Sequence, residues 1–172
     1  YMTHEEALEL LRPTGIAKGG TWADLGAGTG TFTRALAELL ENGKVHAVDK
    51  DRRALGQIQR LGLESASVIT HQQDFTEPLN LENLDGILIA NALHFVRDQT
   101  SLLRQLRTSL KPTGKFIVIE YDITRANPWV PFPVSFENLK KLVARVNLQE
   151  PVKVTTKDSR YHREMYVAVI KL

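Results

Sequence analysis

The sequence predicts an α/β fold, a doubly wound, mostly parallel seven-stranded sheet with helices on both faces and an antiparallel C-terminal hairpin. Three observations predict it. Apolar strand-like runs alternate with helix-favouring segments through residues 20–121, which is the pattern of strand–helix–strand units. Two of those runs, Leu84-Asp-Gly-Ile-Leu-Ile-Ala90 and Lys115-Phe-Ile-Val-Ile-Glu-Tyr121, are almost continuously apolar, as strands covered on both faces are. The last two runs, residues 152–156 and 165–170, are joined by a polar segment beginning Lys157-Asp-Ser-Arg160, too short for a crossover helix, so they pair antiparallel.

Element by element, Thr3 followed by Glu6 has the form of a capping box, and Ala7, Leu8, Leu10 and Leu11 make the stripe of a short helix that stops at Pro13 and Gly15. Residues 20–25 read as a buried strand that breaks into Gly26-Ala-Gly-Thr-Gly30, and 32–41 as the helix that follows. Residues 44–48, ending at Asp49, form a second strand, 52–61 a charged helix, and 66–70 a third strand ending near Asp74. The fourth strand is 84–90, the next helix 100–110 and the fifth strand 115–121. A proline-rich aromatic loop over 127–133 leads to a helix over 135–147 and then to the hairpin.

At 172 residues the chain is expected to be a single domain: an N-terminal helix (1–19), a binding core (20–122) and a closing loop, helix and hairpin (123–172). With 42% apolar and 24% charged residues it falls among globular chains, which excludes a disordered or fibrous one. The absence of cysteine excludes disulfides, a thiolate metal site and a cysteine nucleophile. No apolar or glycine stretch, Gly86 to Ala90 included, approaches the ~20 residues that span a bilayer, so neither a span nor a signal segment is expected and a cytoplasmic location is. Residues 1–96 carry 8 basic and 13 acidic side chains against 14 and 7 in 97–172; the spacing of Arg104, Arg107 and Lys111 suits a solvated helix face more than a polyanion surface.

In an open parallel sheet the chemistry belongs beyond the carboxyl ends of the strands. There the sequence places Asp24 to Gly30, Asp49 to Asp51, Asp74 with Phe75, Asn91 to His94, and Tyr121 with Asp122. The glycines of Gly26-x-Gly28-x-Gly30 let a backbone approach a nucleotide-like group, but Thr31 and Thr33 stand where the dinucleotide fingerprint needs its third glycine. Asp24, just before the turn, repels a pyrophosphate and attracts an ammonium or sulfonium group. Asp49 ends its strand where an acidic side chain accepts from ribose hydroxyls, and Asp74 is placed to accept from an adenine amino group with Phe75 against the ring. Aspartate is also a favoured helix N-cap, which gives Asp49 and Asp74 a structural reading. His94 is a candidate general base or a helix-start histidine, and Tyr121 and Asp122 either face an acceptor or close a strand. Trp129 and Phe132 are candidates for an apolar wall. His4, His46, His71 and His162 have no recurrent ligand spacing, so no metal is expected.

In that order and spacing, Asp24-Leu-Gly-Ala-Gly-Thr-Gly30, Val48-Asp49, Gln73-Asp74-Phe75 and Leu84-Asp-Gly-Ile-Leu resemble a class I S-adenosylmethionine-dependent methyltransferase over residues 20–122. The resemblance implies a sheet whose antiparallel seventh strand lies between strands five and six. It implies S-adenosyl-L-methionine as cofactor, with Asp24, Leu25, Gly26, Ala27, Gly28 and Gly30 along its methionine part. It further implies Asp49 on the ribose, Lys50 flanking the adenine, Asp74 and Phe75 at the adenine edge, and Asn91 and Ala92 between methionine and acceptor. It prescribes no obligatory catalytic residue; His94 and Tyr121 are the candidates.

Two acceptor classes lose ground. Asn91 is followed by Ala-Leu-His and not by the prolines of base-amino methylating enzymes, and the cysteines of arsenic methylation are lacking. With only about 20 residues before the first strand and no long insertion, a small organic acceptor is expected and nucleic acid is not, in a monomer or homodimer. An RNA or protein acceptor is the alternative, followed by a non-catalytic binding protein and a nicotinamide-dependent oxidoreductase.

Overall fold

The computed structural model describes residues 2–159 and 164–172; Arg160 and His162, named above, lie outside them. Seven strands form one sheet: β1 (Thr21–Leu25), β2 (Lys44–Asp49), β3 (Ser67–Gln72), β4 (Leu84–Ala90), β5 (Leu110–Tyr121), β6 (Val152–Asp158) and β7 (Glu164–Lys171). Their order is β3-β2-β1-β4-β5-β7-β6. The first five pair in parallel, while β7 runs antiparallel to both β5 and β6. The expected fold is borne out, including the seventh strand between five and six.

Among the described residues five α-helices cover the sheet: α1 (His4–Leu11), α2 (Thr31–Leu40), α3 (Arg52–Arg60), α4 (Gln99–Arg107) and α5 (Phe136–Ala144). Strand side chains alternate faces, so the near-continuous apolar runs divide between two cores. Trp22, Leu88, Ile117, Ile119 and Val167 meet Leu8, Leu11, Leu36 and Leu40 of α1 and α2 on one face. Ala23, Ile87, Ile89, Phe116, Val118 and Tyr166 meet Leu103, Leu106, Leu139 and Val143 of α4 and α5 on the other. The α1 capping box forms as read, with the Glu6 N–H donating to Thr3 Oγ1 (3.2 Å) and the Thr3 N–H to Glu6 Oε2 (2.8 Å).

Several boundaries differ from expectation. Helix α4 starts at Gln99 behind the Asp98 cap and ends at Arg107, because the turn at Thr108 and Ser109 returns the chain to the sheet, where Ser109 O accepts from the Leu84 N–H. That pairing draws Leu110 into β5, past an irregularity between Leu84 and Gly86. Helix α5 is shorter than 135–147, with Ser135 as its N-cap and Asn147 at φ 56° beyond its end. Residues 73–83 connect β3 to β4 without a helix. The strand order reverses between β1 and β4, and the crevice there, at the carboxyl ends, is where such folds bind ligands.

Candidate active site

The glycine turn starts where β1 ends. Gly26 and Ala27 N–H both donate to Val48 O (2.9 and 3.1 Å), which ties the turn to β2. Gly26 has φ +76°, and a Cβ there would lie 2.7 Å from the Ala92 Cβ, so only glycine lets the turn and the segment after β4 approach so closely. Gly28 opens on free space, with nothing within 4 Å of where its Cβ would stand. Gly30 is the N-cap of α2 and gives no side-chain cap, leaving the first amides of that helix available. Its neighbour is Ile58 of α3, 2.6 Å from a hypothetical Cβ, so Gly30 serves helix packing.

The three acidic strand ends are unlike one another. Asp24 is buried, and its Oδ2 accepts from the Thr33 hydroxyl at 2.6 Å. Burial, partly offset by that hydrogen bond and aided by the Asp49 carboxylate, pushes its carboxyl up to about 6. Asp49 accepts from the Gly28 N–H through Oδ2 and from the Asp51 N–H through Oδ1, each at 2.8 Å, so it braces the glycine turn from β2. Asp51, and not Asp49, caps α3, accepting from the Arg53 and Ala54 N–H groups. Asp74 folds back onto Thr76, accepting from its N–H at 2.9 Å and its hydroxyl at 2.7 Å, which holds the Asp74 carboxyl below its ordinary value.

Two cavities adjoin at this edge. The first, of about 280 Å³, is lined by Gly26, Asp49, Lys50, Asp74, Phe75, Asn91 and Ala92, all expected, and by Gln73, Thr76, Phe95 and Val96, which were not. Asp24, Leu25, Ala27, Gly28 and Gly30 do not line it. The second, of about 520 Å³, is lined by Asn91, His94, Phe95, Tyr121, Asn127, Trp129 and Val130. Asn91 and Phe95 belong to both. Asn91 sits at φ 50° directly after β4, a conformation sparsely used by non-glycine residues, and its buried Oδ1 has no hydrogen-bond partner.

A short 3-10 turn over Leu93–Phe95 follows, and it sets His94 against β5. His94 Nδ1 lies 2.7 Å from Glu120 Oε2, and the His94 backbone N–H donates to Glu120 Oε1 at 3.1 Å. Both side chains are buried, at 3% and 0% exposure, so each is the other's partner in a dry setting. Glu120 escaped the sequence reading, although a lone carboxylate inside Phe-Ile-Val-Ile-Glu signals a buried charge that needs a partner. The Tyr121 ring lies 6.2 Å from that of His94. Asp122 lines neither cavity, accepting from the Phe136 N–H at 2.9 Å and pairing with Lys153.

The proline-rich loop covers this end. Asn127 Oδ1 accepts from the Trp129 and Val130 N–H groups at 3.0 and 3.1 Å, and His94 O accepts from the Phe132 N–H at 2.9 Å, which anchors the loop to the histidine turn. Trp129 lines the larger cavity while remaining 79% exposed, whereas Phe132 does not line it and lies under the Arg97 guanidinium at 5.3 Å. Among the described residues no cluster of three or more metal-ligating side chains exists, and no helix is long and apolar enough to cross a membrane. His46 and His71 contact each other on β2 and β3, 2.9 Å apart.

A family model described as "Methyltransferase domain" matches residues 23–116. The ubiquinone/menaquinone biosynthesis C-methyltransferase UbiE of Escherichia coli is 32% identical over 115 residues, 63% of this chain and 45% of that protein. Methyltransferase gedG of Aspergillus terreus is 27% identical over 93 residues, 54% of this chain and 29% of that protein. The chain thus spans less than half the length of these curated relatives. A SAM-dependent methyltransferase from Aquifex aeolicus superposes with a TM-score of 0.73 at 20% identity, covering 95% of this chain and 89% of that one. The chain belongs to the methyltransferase domain family, as its motifs imply, and its sheet is the Rossmann-like methyltransferase fold.

Proposed function

We propose that this protein binds S-adenosyl-L-methionine in the smaller cavity and transfers its methyl group to a small organic acceptor in the larger one. The observation that carries the reading is the junction of the two cavities at Asn91 and Phe95, beside His94. The residues present fit the cofactor: Gly28 opens on free space, α2 begins without a side-chain cap, and Asn91 Oδ1 has no partner. In this reading the turn of Asp24, Leu25, Gly26, Ala27, Gly28 and Gly30 holds the methionine part, with Asp24 as the nearby anion. Asp49 accepts from the ribose, Lys50, Asp74 and Phe75 enclose the adenine, and Asn91 and Ala92 stand between cofactor and acceptor.

When bound, the cofactor supplies an electrophilic methyl group carried on sulfur. The chain's task is then to align an acceptor nucleophile with that methyl and exclude water, and to take a proton where the nucleophile carries one. His94 is the base and Tyr121 a second wall residue able to orient the acceptor. A cytoplasmic setting and a single-domain architecture belong to the same reading. Calorimetric titration with S-adenosylmethionine, S-adenosylhomocysteine and NAD tests it: the first two bind and the third does not, and binding of NAD alone would reassign the glycine turn. Asp49→Ala removes the partner of the Gly28 and Asp51 amides and the ribose acceptor together, and weakens S-adenosylhomocysteine binding by ~1.5–3 kcal/mol.

A further inference from the structure

The larger cavity has a defined chemistry. Among the described residues its lining consists of His94 together with Asn91, Phe95, Tyr121, Asn127, Trp129 and Val130, side chains that are uncharged, three of them aromatic. Those six side chains offer a carboxylate or phosphate no counter-ion, whereas a flat apolar ring finds stacking surfaces among them. Each of the two asparagines brings one buried amide atom without a partner, Asn91 Oδ1 and Asn127 Nδ2, an acceptor and a donor suited to neutral polar groups.

At the floor of that cavity the imidazole is fixed by Glu120. A carboxylate only accepts, so the ring proton belongs on Nδ1, 2.7 Å from Oε2, and the second carboxylate oxygen receives the His94 N–H. Nε2, for which no protein partner exists among the described residues, is left with its lone pair. An oriented imidazole backed by a buried carboxylate is an arrangement for removing a proton. An acceptor that is already an anion would not need it, while a phenol, with a proton lost only near pH 10 in water, would.

We propose that the larger cavity takes an uncharged, flat hydroxyl compound of the phenol or enol type, whose proton is removed by His94 Nε2, with Glu120 as the positioning residue for the imidazole. The inference rests on the methyl-transfer reading and narrows its acceptor. In the step, the acceptor oxygen forms its bond to the methyl carbon as its proton passes to Nε2. The carbon–sulfur bond breaks with its electron pair staying on sulfur. The positive charge lost from sulfur reappears on the imidazole, opposite the Glu120 carboxylate, so the pair ends neutral overall.

The test uses 1-naphthol and 1-naphthoate, alike in ring size and different in charge, titrated calorimetrically into the whole chain with and without S-adenosylhomocysteine. Naphthol binds at least about tenfold more tightly, because the carboxylate loses its hydration without gaining a cation; equal or tighter binding of naphthoate overturns the proposal. Failure of S-adenosylhomocysteine to bind sinks the methyl-transfer reading while the naphthol preference is still measured in its absence. Nitrogen-15 spectra of the His94 ring decide the positioning role: the wild-type ring is protonated on Nδ1, and a proton on Nε2 instead overturns it. Glu120→Gln, an isostere, releases that tautomer and lowers kcat on naphthol about 10- to 100-fold with KM little changed. An unchanged kcat refutes the role, and if this variant does not fold, the wild-type tautomer alone decides.

Discussion

The Asp24 carboxyl is buried under the glycine turn, and that burial is the first cause of its rise to about 6. Between the ordinary carboxylate range and that value the folded state holds a proton that the unfolded state has released, so stability falls as pH rises from about 4 to about 6 and stays lowered above it. The loss is on the order of 2–3 kcal/mol at most. Asp24→Asn flattens this part of the profile, which urea denaturation at pH 4.5, 5.5 and 7 reads directly; an unchanged slope would place the proton elsewhere. Two residues further on, Gly26→Ala sets a Cβ 2.7 Å from that of Ala92 at a φ of +76°. Expected are a loss of ~1–3 kcal/mol in denaturant unfolding and weakened S-adenosylhomocysteine binding, since the same contact walls the smaller cavity.

Single elements carry the site because their ends, and not their middles, face the crevice. Strand β1 delivers the glycine turn, β2 delivers Asp49 to brace it, and the helix-free connection after β3 brings Asp74 and Phe75 across to the same cavity. The pairing of β1 with β4 is set by a close fit, Trp22 beside Gly86 in register, where a Cβ on residue 86 would meet the indole at 2.3 Å. Gly86→Ala therefore forces this central pair apart and costs ~2–3 kcal/mol, with the denaturation midpoint as readout. A change below 0.5 kcal/mol would mean that the indole swings aside freely. Beyond β5, Tyr166 of β7 donates its hydroxyl to Val134 O at 2.7 Å, joining the hairpin to the segment that leads into α5.

Across the whole molecule protection is unequal. Strands β1, β4, β7 and the second half of β5 are largely buried between two cores, whereas the edge strand β3 alternates exposed and half-buried residues and exposes Ile69. Amide exchange follows this gradient: the amides of β4 and the second half of β5 exchange most slowly, at the free energy of global unfolding, and those of β3 exchange by local opening. Equal protection of β3 and β4 would refute the gradient. The two cavities lie at the carboxyl edge and so draw on the rigid centre of the sheet on one side and on the anchored proline-rich loop on the other.

The alternation of apolar runs and helix formers, the glycine turn and the acidic strand ends were legible in the chain itself, because strand burial and turn geometry act through local residue types. So was the terminal hairpin, from a linker too short for a helix. Tertiary structure alone decided what each acidic residue does: Asp49 and Asp74 look alike in the chain, yet one braces the glycine turn and the other closes its own loop. It decided likewise that Leu110 joins β5, since Ser109 pairs with Leu84 across the sheet. The partnership of His94 with Glu120 spans 26 residues and depends on β4 and β5 lying side by side, a contact that no local pattern encodes. Local chemistry specified the elements, and long-range pairing, won only when the sheet closes over its two cores, specified which side chains meet.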